Sequence, residues 1–378
     1  MKIQKVTYYD HELEWRFEPI EFANFTLLVG ASGVGKTQIL ESINKLQKIA
    51  NGESLNGVEW DTIFSVDNSI YQWQGEFEAK KVSSLIKDDE SEKNSHFRIL
   101  REKLSKEGKL IIERRNSEII FKGDKLPKLS PFQSIVDIFS EEEDITPVKN
   151  GFKKIIYSNP LRENSIDVIM YPKIYSSLSS KPSSLEEIRE MNLPIQLKLA
   201  LTYKYVPWVF NKIKENFINI FFQVEDIKMD PDENDDHLFI MLAEYPFIQI
   251  KEKGVNHWIK QRQISSGMLK TLLHISEIYL YPEESIILID EFENSLGVNC
   301  IDVVIDLLLE NRNTQFIITS HHPYIINNIA MEYWKIVTRK GGVVTARDAK
   351  DFNLGRSRHE AFMQLINLDA YKEGISIS

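Results

Sequence analysis

The sequence predicts an α/β protein in which helices cover a mixed sheet, and three observations lead to this prediction. The apolar run Phe25–Val29 is followed by a glycine-rich segment and by apolar residues at helical spacing over residues 38–49. A second apolar run, Ile286–Ile289, lies near the other end of the chain. Strand-like runs and charged loops alternate over residues 63–121, which predicts an antiparallel sheet beside the core.

The glycine-rich segment reads GASGVGKT and fits the pattern G-x-x-x-x-G-K-[ST] at every fixed position. Glycines permit backbone conformations that turn N–H groups toward phosphate oxygens, at the positive end of the following helix. The lysine adds a full charge, and the threonine hydroxyl can ligate Mg²⁺. All eight residues are therefore candidate contacts of a nucleoside triphosphate: Gly30, Ala31, Ser32, Gly33, Val34, Gly35, Lys36 and Thr37.

Two carboxylates, Asp290 and Glu291, directly follow the second apolar run. Acidic pairs are common on solvated loops, but an apolar strand before the pair and a phosphate-binding pattern upstream favour a catalytic role. We expect Asp290 to hold Mg²⁺ and Glu291 to polarise the attacking water.

A Ser-Ser-Gly corner precedes the carboxylate strand and predicts the start of a helix, with a serine as cap and N–H groups open to an anion. The corner consists of Ser265, Ser266 and Gly267. By itself it would be an ordinary helix cap. Its place just before the carboxylate strand gives it a second interpretation.

In this order the motifs resemble those of ABC-type ATPases of the RecF, SMC and OLD-like branch. The Ser-Ser-Gly corner is similar to the signature motif, which in that superfamily completes the nucleotide site of the opposite subunit. The segment FENSLG at residues 292–297 resembles the D-loop. The string Ser-His-His-Pro from Ser320 resembles the switch-histidine motif, with His321 as the switch and His322 in place of a serine. Gln133 is similar to the Q-loop glutamine that senses the γ-phosphate.

The resemblance implies an ABC-type P-loop ATPase core, with ATP and Mg²⁺ as ligands and a head-to-tail homodimer or higher homo-oligomer. We expect the core in residues 1–160 and 226–378, with a mainly helical lid inserted at 161–225. The aromatic residues of the lid are expected to lie mostly in its core. They are Tyr203, Tyr205, Trp208, Phe210, Phe217, Phe221 and Phe222.

Composition limits the possible partners. The net charge of −10 gives no global attraction to nucleic acid, although the basic run at residues 98–115 leaves a local DNA contact open. No apolar run approaches the ~20 residues of a membrane span, and the first residues lack the apolar stretch of a signal peptide. A single cysteine, Cys300, excludes an internal disulfide and suits a cytoplasmic protein.

The leading functional hypothesis is a nucleotide-driven ATPase switch, similar to the ATPase subunits of anti-phage systems such as Septu and PARIS, which control a separate nuclease or toxin. The tail lacks the Asp-x-Asp spacing of a TOPRIM nuclease, since Asp348 and Asp351 are too far apart. The main alternative is a DNA repair or recombination ATPase of the RecF type. A transporter subunit and a scaffold that binds ATP without hydrolysis fit less well, because of the signature sequence and of Glu291 respectively.

Overall fold

The computed structural model of the chain describes residues 1–80, 96–158, 181–230, 246–294, 296–355 and 357–374. Three predicted features lie wholly or partly outside these ranges: residues 161–180 of the predicted lid, the acidic run after Asp230, and Ser295 of the predicted D-loop. In the described residues, the strands are β1 (Lys2–Asp10), β2 (Trp15–Glu21), β3 (Phe25–Val29), β4 (Val58–Val66), β5 (Ser69–Phe77), β6 (Ile99–Lys106), β7 (Lys109–Arg115), β8 (Glu118–Phe121), β9 (Asp124–Lys125), β10 (Ile155–Ser158), β11 (Val224–Asp230), β12 (Phe247–Glu252), β13 (Ile259–Lys260), β14 (Ile286–Ile289), β15 (Gln315–Thr319), β16 (Trp334–Lys340) and β17 (Val343–Asp348).

The α-helices of the same residues alternate with strands from Ser266–Leu280 to Trp334–Lys340. They are α1 (Lys36–Ala50), α2 (Ile135–Ile138), α3 (Thr146–Lys153), α4 (Leu185–Glu190), α5 (Ile195–Tyr205), α6 (Pro207–Ile220), α7 (Ser266–Leu280), α8 (Val298–Glu310), α9 (Pro323–Asn328), α10 (Arg358–Leu365) and α11 (Asp369–Lys372). None of the described helices combines the length and apolar character that a membrane span needs.

A large mixed sheet organises the first of two compact units, which comprises Met1–Tyr157, Glu284–Glu291 and Asn313–Ser378. Its strand order is β10-β14-β15-β3-β16-β17-β2-β1-β4-β5-β6-β7-β8-β9. Strands β14, β15, β3 and β16 are parallel, whereas β1 and β4 to β9 pair antiparallel. The predicted fold class is confirmed, and the antiparallel strands continue the core sheet.

The parallel strands at the centre are buried along their length, as expected for strands with helices on both faces. Ile289 pairs with Ile318, and Thr319 pairs with Leu28. The carboxyl ends of β14, β15 and β3 therefore meet at one edge of the sheet. Ligands of open α/β sheets bind at such an edge.

Helix α1 follows β3, and one apolar face of the helix packs into the core of the first unit. Its buried residues include Ile39, Leu40, Ile43 and Leu46, the positions that helical spacing predicts. The antiparallel part of the sheet adds an aromatic cluster in which Trp60, Trp73 and Phe152 are fully buried. These contacts fix α1, and with it the loop before it.

The second unit comprises Ser158–Glu283 and Phe292–Arg312. Helix α7 lies at its centre and contacts α4, α5, α6 and α8, while β11, β12 and β13 form a small antiparallel sheet. The described part of the predicted lid is mainly helical, as expected. The two compact units group the chain by contacts and do not correspond to the predicted segments. The predicted boundaries at 160 and 225 stay a prediction.

The aromatic residues of the lid do not all lie in its core. Phe210, Phe217 and Phe221 are buried, whereas Tyr203, Trp208 and Phe222 are 38%, 57% and 74% exposed. Phe210 and Phe217 lie on the buried face of α6, Phe221 caps its C-terminus, and the exposed Trp208 lies in its first turn. The expectation of a mostly buried aromatic stripe is therefore wrong for these three positions.

Candidate functional site

The glycine-rich segment forms the loop between β3 and α1, at the carboxyl end of a central parallel strand. Gly33 has a φ of 80°, a left-handed conformation that favours glycine. At Gly30 the constraint is steric, because a Cβ there would lie 2.5 Å from the carbonyl oxygen of Val337. The loop thus needs glycine at both positions, for two different reasons.

Lys36 begins α1, and its ammonium group is held at the loop. Its Nζ donates to the carbonyl oxygens of Gly30 at 2.8 Å and Ala31 at 2.9 Å. Ser32 and Gly33, at the tip of the loop, are exposed. A fixed cation beside exposed backbone at a helix N-terminus is an arrangement that binds phosphate.

A chain of hydrogen bonds joins the loop to the two carboxylates. Thr37 Oγ1 donates to Asp290 Oδ2 at 2.8 Å, although 253 positions separate the two residues. Thr319 Oγ1 donates to the other oxygen, Asp290 Oδ1, at 2.6 Å. The N–H of Glu291 donates to Thr319 Oγ1 at 2.8 Å. The ends of three neighbouring strands thus place the predicted metal-binding and catalytic residues together.

The two carboxylates have different environments. Asp290 is half-buried and accepts hydrogen bonds on both oxygens, whereas Glu291 is exposed. Glu291 also has a φ of 47°, which is uncommon for a residue with a side chain. An anchored carboxylate beside an exposed one fits the expected division of roles between metal binding and activation of water. These roles stay a prediction.

Tyr157 is a site residue that the sequence did not indicate. It lies on β10, the neighbour of β14. Burial, and then the negative charge of Asp290, raise the pKa of Tyr157 far above its usual value. Its hydroxyl therefore stays protonated beside the carboxylate. No local motif marks the residue, since only the strand order brings it to Asp290.

The donor atoms at this edge suit Mg²⁺. Thr37 offers a hydroxyl and Asp290 a carboxylate, and Mg²⁺ at nucleotide sites takes one or two protein oxygens and completes its shell with phosphate and water. In the described part of the chain, no cluster of three or more His, Cys, Asp or Glu side chains could hold a metal by itself. The residues present fit a metal bound together with a triphosphate.

Gln133 is exposed and directly precedes the cap of α2. Its side-chain amide donates to Asp137 Oδ2 at 3.4 Å, and its backbone carbonyl accepts a hydrogen bond from Arg114 Nη1 at 2.9 Å. The next residue, Ser134, donates at 2.5 Å to the buried carboxylate of Glu102 on β6. Gln133 thus stands on a support fixed to the antiparallel sheet, and neither of these contacts reaches the phosphate loop. Its role toward nucleotide stays a prediction.

The Ser-Ser-Gly corner in the second unit opens α7, as the sequence predicts. Ser265 Oγ accepts a hydrogen bond from the N–H of Met268 at 3.3 Å. Ser265 and Ser266 are exposed, and Gly267 is half-buried. The first N–H groups of a helix have no partner within the helix, so this corner can receive an anion. Its action on a second copy of the chain stays a prediction.

The two histidines after β15 have different positions. His321 is exposed, in line with a residue that meets a ligand. His322 Nδ1 accepts a hydrogen bond from the N–H of Tyr324 at 3.2 Å and thereby caps α9. A serine side chain commonly makes this bond at a helix N-cap. This accounts physically for a histidine at the position where the resembling family has serine.

Trp15 and Arg339 border the phosphate loop and also escaped the sequence analysis. The Arg339 guanidinium lies 4.3 Å from the centre of the Trp15 ring, and its Nη1 donates to the carbonyl of Gly33 at 3.4 Å. A Cβ on Gly35 would lie 2.9 Å from the same ring. The pair buttresses the loop from strands that are distant in sequence.

Three arginines of the basic run at residues 98–115 are paired or buried. Arg101 pairs with Glu59 and Glu76 at 2.6 Å each. Arg115 pairs with an acidic neighbour on its own strand at 2.5 Å, and the side chain of Arg114 is buried. Lys103 and Lys109 of the same run are exposed. The local DNA contact that the sequence left open therefore stays a prediction.

Residues 25–327 match the family described as "AAA domain, putative AbiEii toxin, Type IV TA system". The matched region contains the phosphate loop, both carboxylates, the Ser-Ser-Gly corner and the histidine pair, and it covers well over half of the chain. The chain belongs to this AAA-domain family. Membership places the loop and the carboxylates in a P-loop ATPase domain. No curated protein matches the chain.

Solved SMC head domains are similar to the chain over most of its length. The SMC head domain from Thermotoga maritima is 14% identical, with a TM-score of 0.43, covering 92% of this chain and 99% of that one. The SmcHead bound to the C-winged helix domain of ScpA is 16% identical, with a TM-score of 0.42, covering 92% and 97%. The Smc head domain with an extended coiled coil, bound to the C-terminal domain of ScpA and derived from Pyrococcus furiosus, is 15% identical, with a TM-score of 0.38. The match covers 91% of this chain and 95% of that one. At these TM-scores no conclusion about function follows.

Proposed function

We propose that the chain hydrolyses ATP to ADP and phosphate and uses this cycle as a conformational switch. The observation that carries the proposal is the hydrogen-bonded chain Thr37–Asp290–Thr319–Glu291 at the mouth of a glycine loop. It joins a phosphate-binding helix N-terminus, a pair of oxygen donors for a metal and an exposed carboxylate. The three parts are what phosphoryl transfer to water requires.

Each residue has a defined task in this proposal. The loop N–H groups and Lys36 bind the β- and γ-phosphate oxygens, and Thr37 and Asp290 hold Mg²⁺. Bound Mg²⁺ would neutralise phosphate charge. Glu291 orients the attacking water and accepts its proton, a contribution of roughly 10²–10⁴-fold for a positioned base. His321 and Gln133 are the residues proposed to contact the γ-phosphate.

The exposed corner at Ser265 supports a head-to-tail homodimer. Ser265 caps its own helix, and the helix N-terminus can receive an anion. This corner needs no residue of the phosphate loop. In the proposed dimer, this corner contacts the γ-phosphate bound by the partner copy. Two such contacts are equivalent by symmetry, so a dimer would close around two nucleotides.

The exposed aromatic residues of the second unit support a protein partner. Tyr203 and Trp208 lie at the corner between α5 and α6, and Lys212 lies over the Trp208 ring, 5.3 Å from its centre. Aromatic residues of this kind are enriched where proteins bind each other. We propose that this corner, with Phe222, docks a separately encoded effector, a nuclease or toxin of an anti-phage system.

Two experiments test the proposal. The purified wild-type chain should release phosphate from ATP only with Mg²⁺, and the Lys36→Ala variant should lose this activity. No phosphate release by the wild-type chain with Mg²⁺ would overturn the ATPase proposal. Co-expression with the adjacent gene should give a stable complex and resistance to phage. If no neighbour co-purifies, and loss of the gene causes DNA-damage sensitivity with unchanged phage resistance, the RecF-type repair function replaces the defence function.

A further inference from the structure

Thr319 occupies a position that neither the phosphate-loop pattern nor the carboxylate pair includes. It is the last residue of β15, is 1% exposed and pairs with Leu28 of β3. Its neighbours in the sheet are therefore the strand that leads into the phosphate loop and the strand that leads into the carboxylates.

The Thr319 hydroxyl makes two hydrogen bonds with opposite direction. It donates to Asp290 Oδ1 at 2.6 Å and accepts from the Glu291 N–H at 2.8 Å. A hydroxyl has one proton to donate, and this proton is used on Asp290. A lone pair of the same oxygen accepts the Glu291 N–H. Thr319 Oγ1 therefore holds both members of the carboxylate pair.

Each bond opposes a different freedom. The bond to Oδ1 stops rotation of the Asp290 carboxylate and leaves its other oxygen, Oδ2, beside Thr37. The bond from the Glu291 N–H stabilises a backbone with a φ of 47°, a conformation that a residue with a Cβ rarely keeps without support. Without the hydroxyl, both carboxylates would sample other orientations.

We propose that Thr319 is a positioning residue for hydrolysis, which sets Asp290 for the metal and Glu291 for the water. The proposal rests on the ATPase function proposed above. Thr319 also lies two positions before His321, so the strand end that leads into the histidine pair also holds both carboxylates.

The matched pair Thr319→Val and Thr319→Ser tests this proposal. Valine keeps the shape and strand preference of threonine and removes the hydroxyl, whereas serine keeps the hydroxyl. We expect Thr319→Val to lower kcat by about tenfold or more, the scale of a lost hydrogen bond to a charged group, with little change in KM for ATP. Thr319→Ser should restore most of the rate.

A second readout does not depend on turnover. The Mg²⁺ concentration that gives half-maximal binding of a fluorescent ATP analogue should rise several-fold in Thr319→Val and stay near the wild-type value in Thr319→Ser. Thr319→Ala, compared with Thr319→Ser, gives the same test if the valine variant does not fold. Equal Mg²⁺ dependence in the variants with and without the hydroxyl would overturn the proposal. A wild-type chain that binds Mg²⁺–ATP with this dependence but does not hydrolyse it would contradict the ATPase function and leave metal positioning supported.

Discussion

The phosphate loop with its carboxylates and the corner at Ser265 are both candidate nucleotide contacts, but they differ in how far each is built within one chain. At the carboxylates, Asp290 is fixed by hydrogen bonds from Thr37 and Thr319. At the corner, the capping hydrogen bond of Ser265 lies within its own helix, and the side chain is exposed. The phosphate loop and carboxylates are therefore preorganised for chemistry within one chain. The corner at Ser265 is instead an exposed surface, which we propose meets a nucleotide bound by a second copy of the chain.

The largest expected effect belongs to the preorganised part. Glu291→Gln should lower kcat by roughly 10²–10⁴-fold, because an amide cannot accept the proton of the attacking water. Binding of ATP should remain, since Glu291 is exposed and the loop is unchanged. Single-turnover hydrolysis and equilibrium binding measure the two quantities. Glu12→Gln, at an exposed glutamate of the β1–β2 turn, is the control, and a wild-type rate in Glu291→Gln would remove Glu291 as the base.

Lys36→Ala should weaken nucleotide binding itself, by about tenfold or more, because it removes a charge-assisted contact to phosphate. The effect should be similar for ADP and ATP only if the lysine mainly contacts the β-phosphate. Titration of both nucleotides by calorimetry gives this comparison. Unchanged affinity for both would show that the ammonium, although held by Gly30 and Ala31, does not bind phosphate.

Trp208→Ala tests the surface outside the nucleotide site. Loss of a central aromatic contact costs about 2 kcal/mol or more in many interfaces, so affinity for the co-purified effector should fall by about 30-fold. ATP hydrolysis should stay at the wild-type rate, because Trp208 belongs to the second unit and the phosphate loop and carboxylates belong to the first. Met363→Ala, another exposed apolar residue, is the matched control. Equal effector binding by the two variants would move the docking surface away from this corner.

Two loop glycines offer a smaller and more local comparison. Gly33→Ala should cost about 1–2 kcal/mol of folding free energy, because φ is 80° but no atom lies within 4 Å of the added Cβ. Gly30→Ala should cost more, because its Cβ would overlap the backbone oxygen of Val337. Urea denaturation of both variants measures the order. The reverse order would mean that the loop relaxes at Gly30 more easily than the contact indicates.

The sequence predicts the central strands and the helices after them closely, because strands buried on both faces are continuous apolar runs. The two apolar runs, Phe25–Val29 and Ile286–Ile289, coincide with strands, and the helical spacing over residues 38–49 lies within helix Lys36–Ala50. Tyr157 and Arg339 could not be predicted, since their contacts depend on which strands become neighbours across long connections. The exposure of Trp208 was missed because composition does not tell which face of a helix is covered.

The measurement that tests the comparison most directly mixes two inactive variants. Lys36→Ala damages the phosphate loop, and Ser265→Arg blocks the corner with a bulky side chain. In an equal random mixture, half of the dimers are heterodimers, and one of their two sites combines both intact parts, so about a quarter of all sites should be competent. A head-to-tail dimer predicts recovery of ATP hydrolysis toward that fraction. No recovery at any mixing ratio, with heterodimers shown to form, would contradict a site completed by the partner copy.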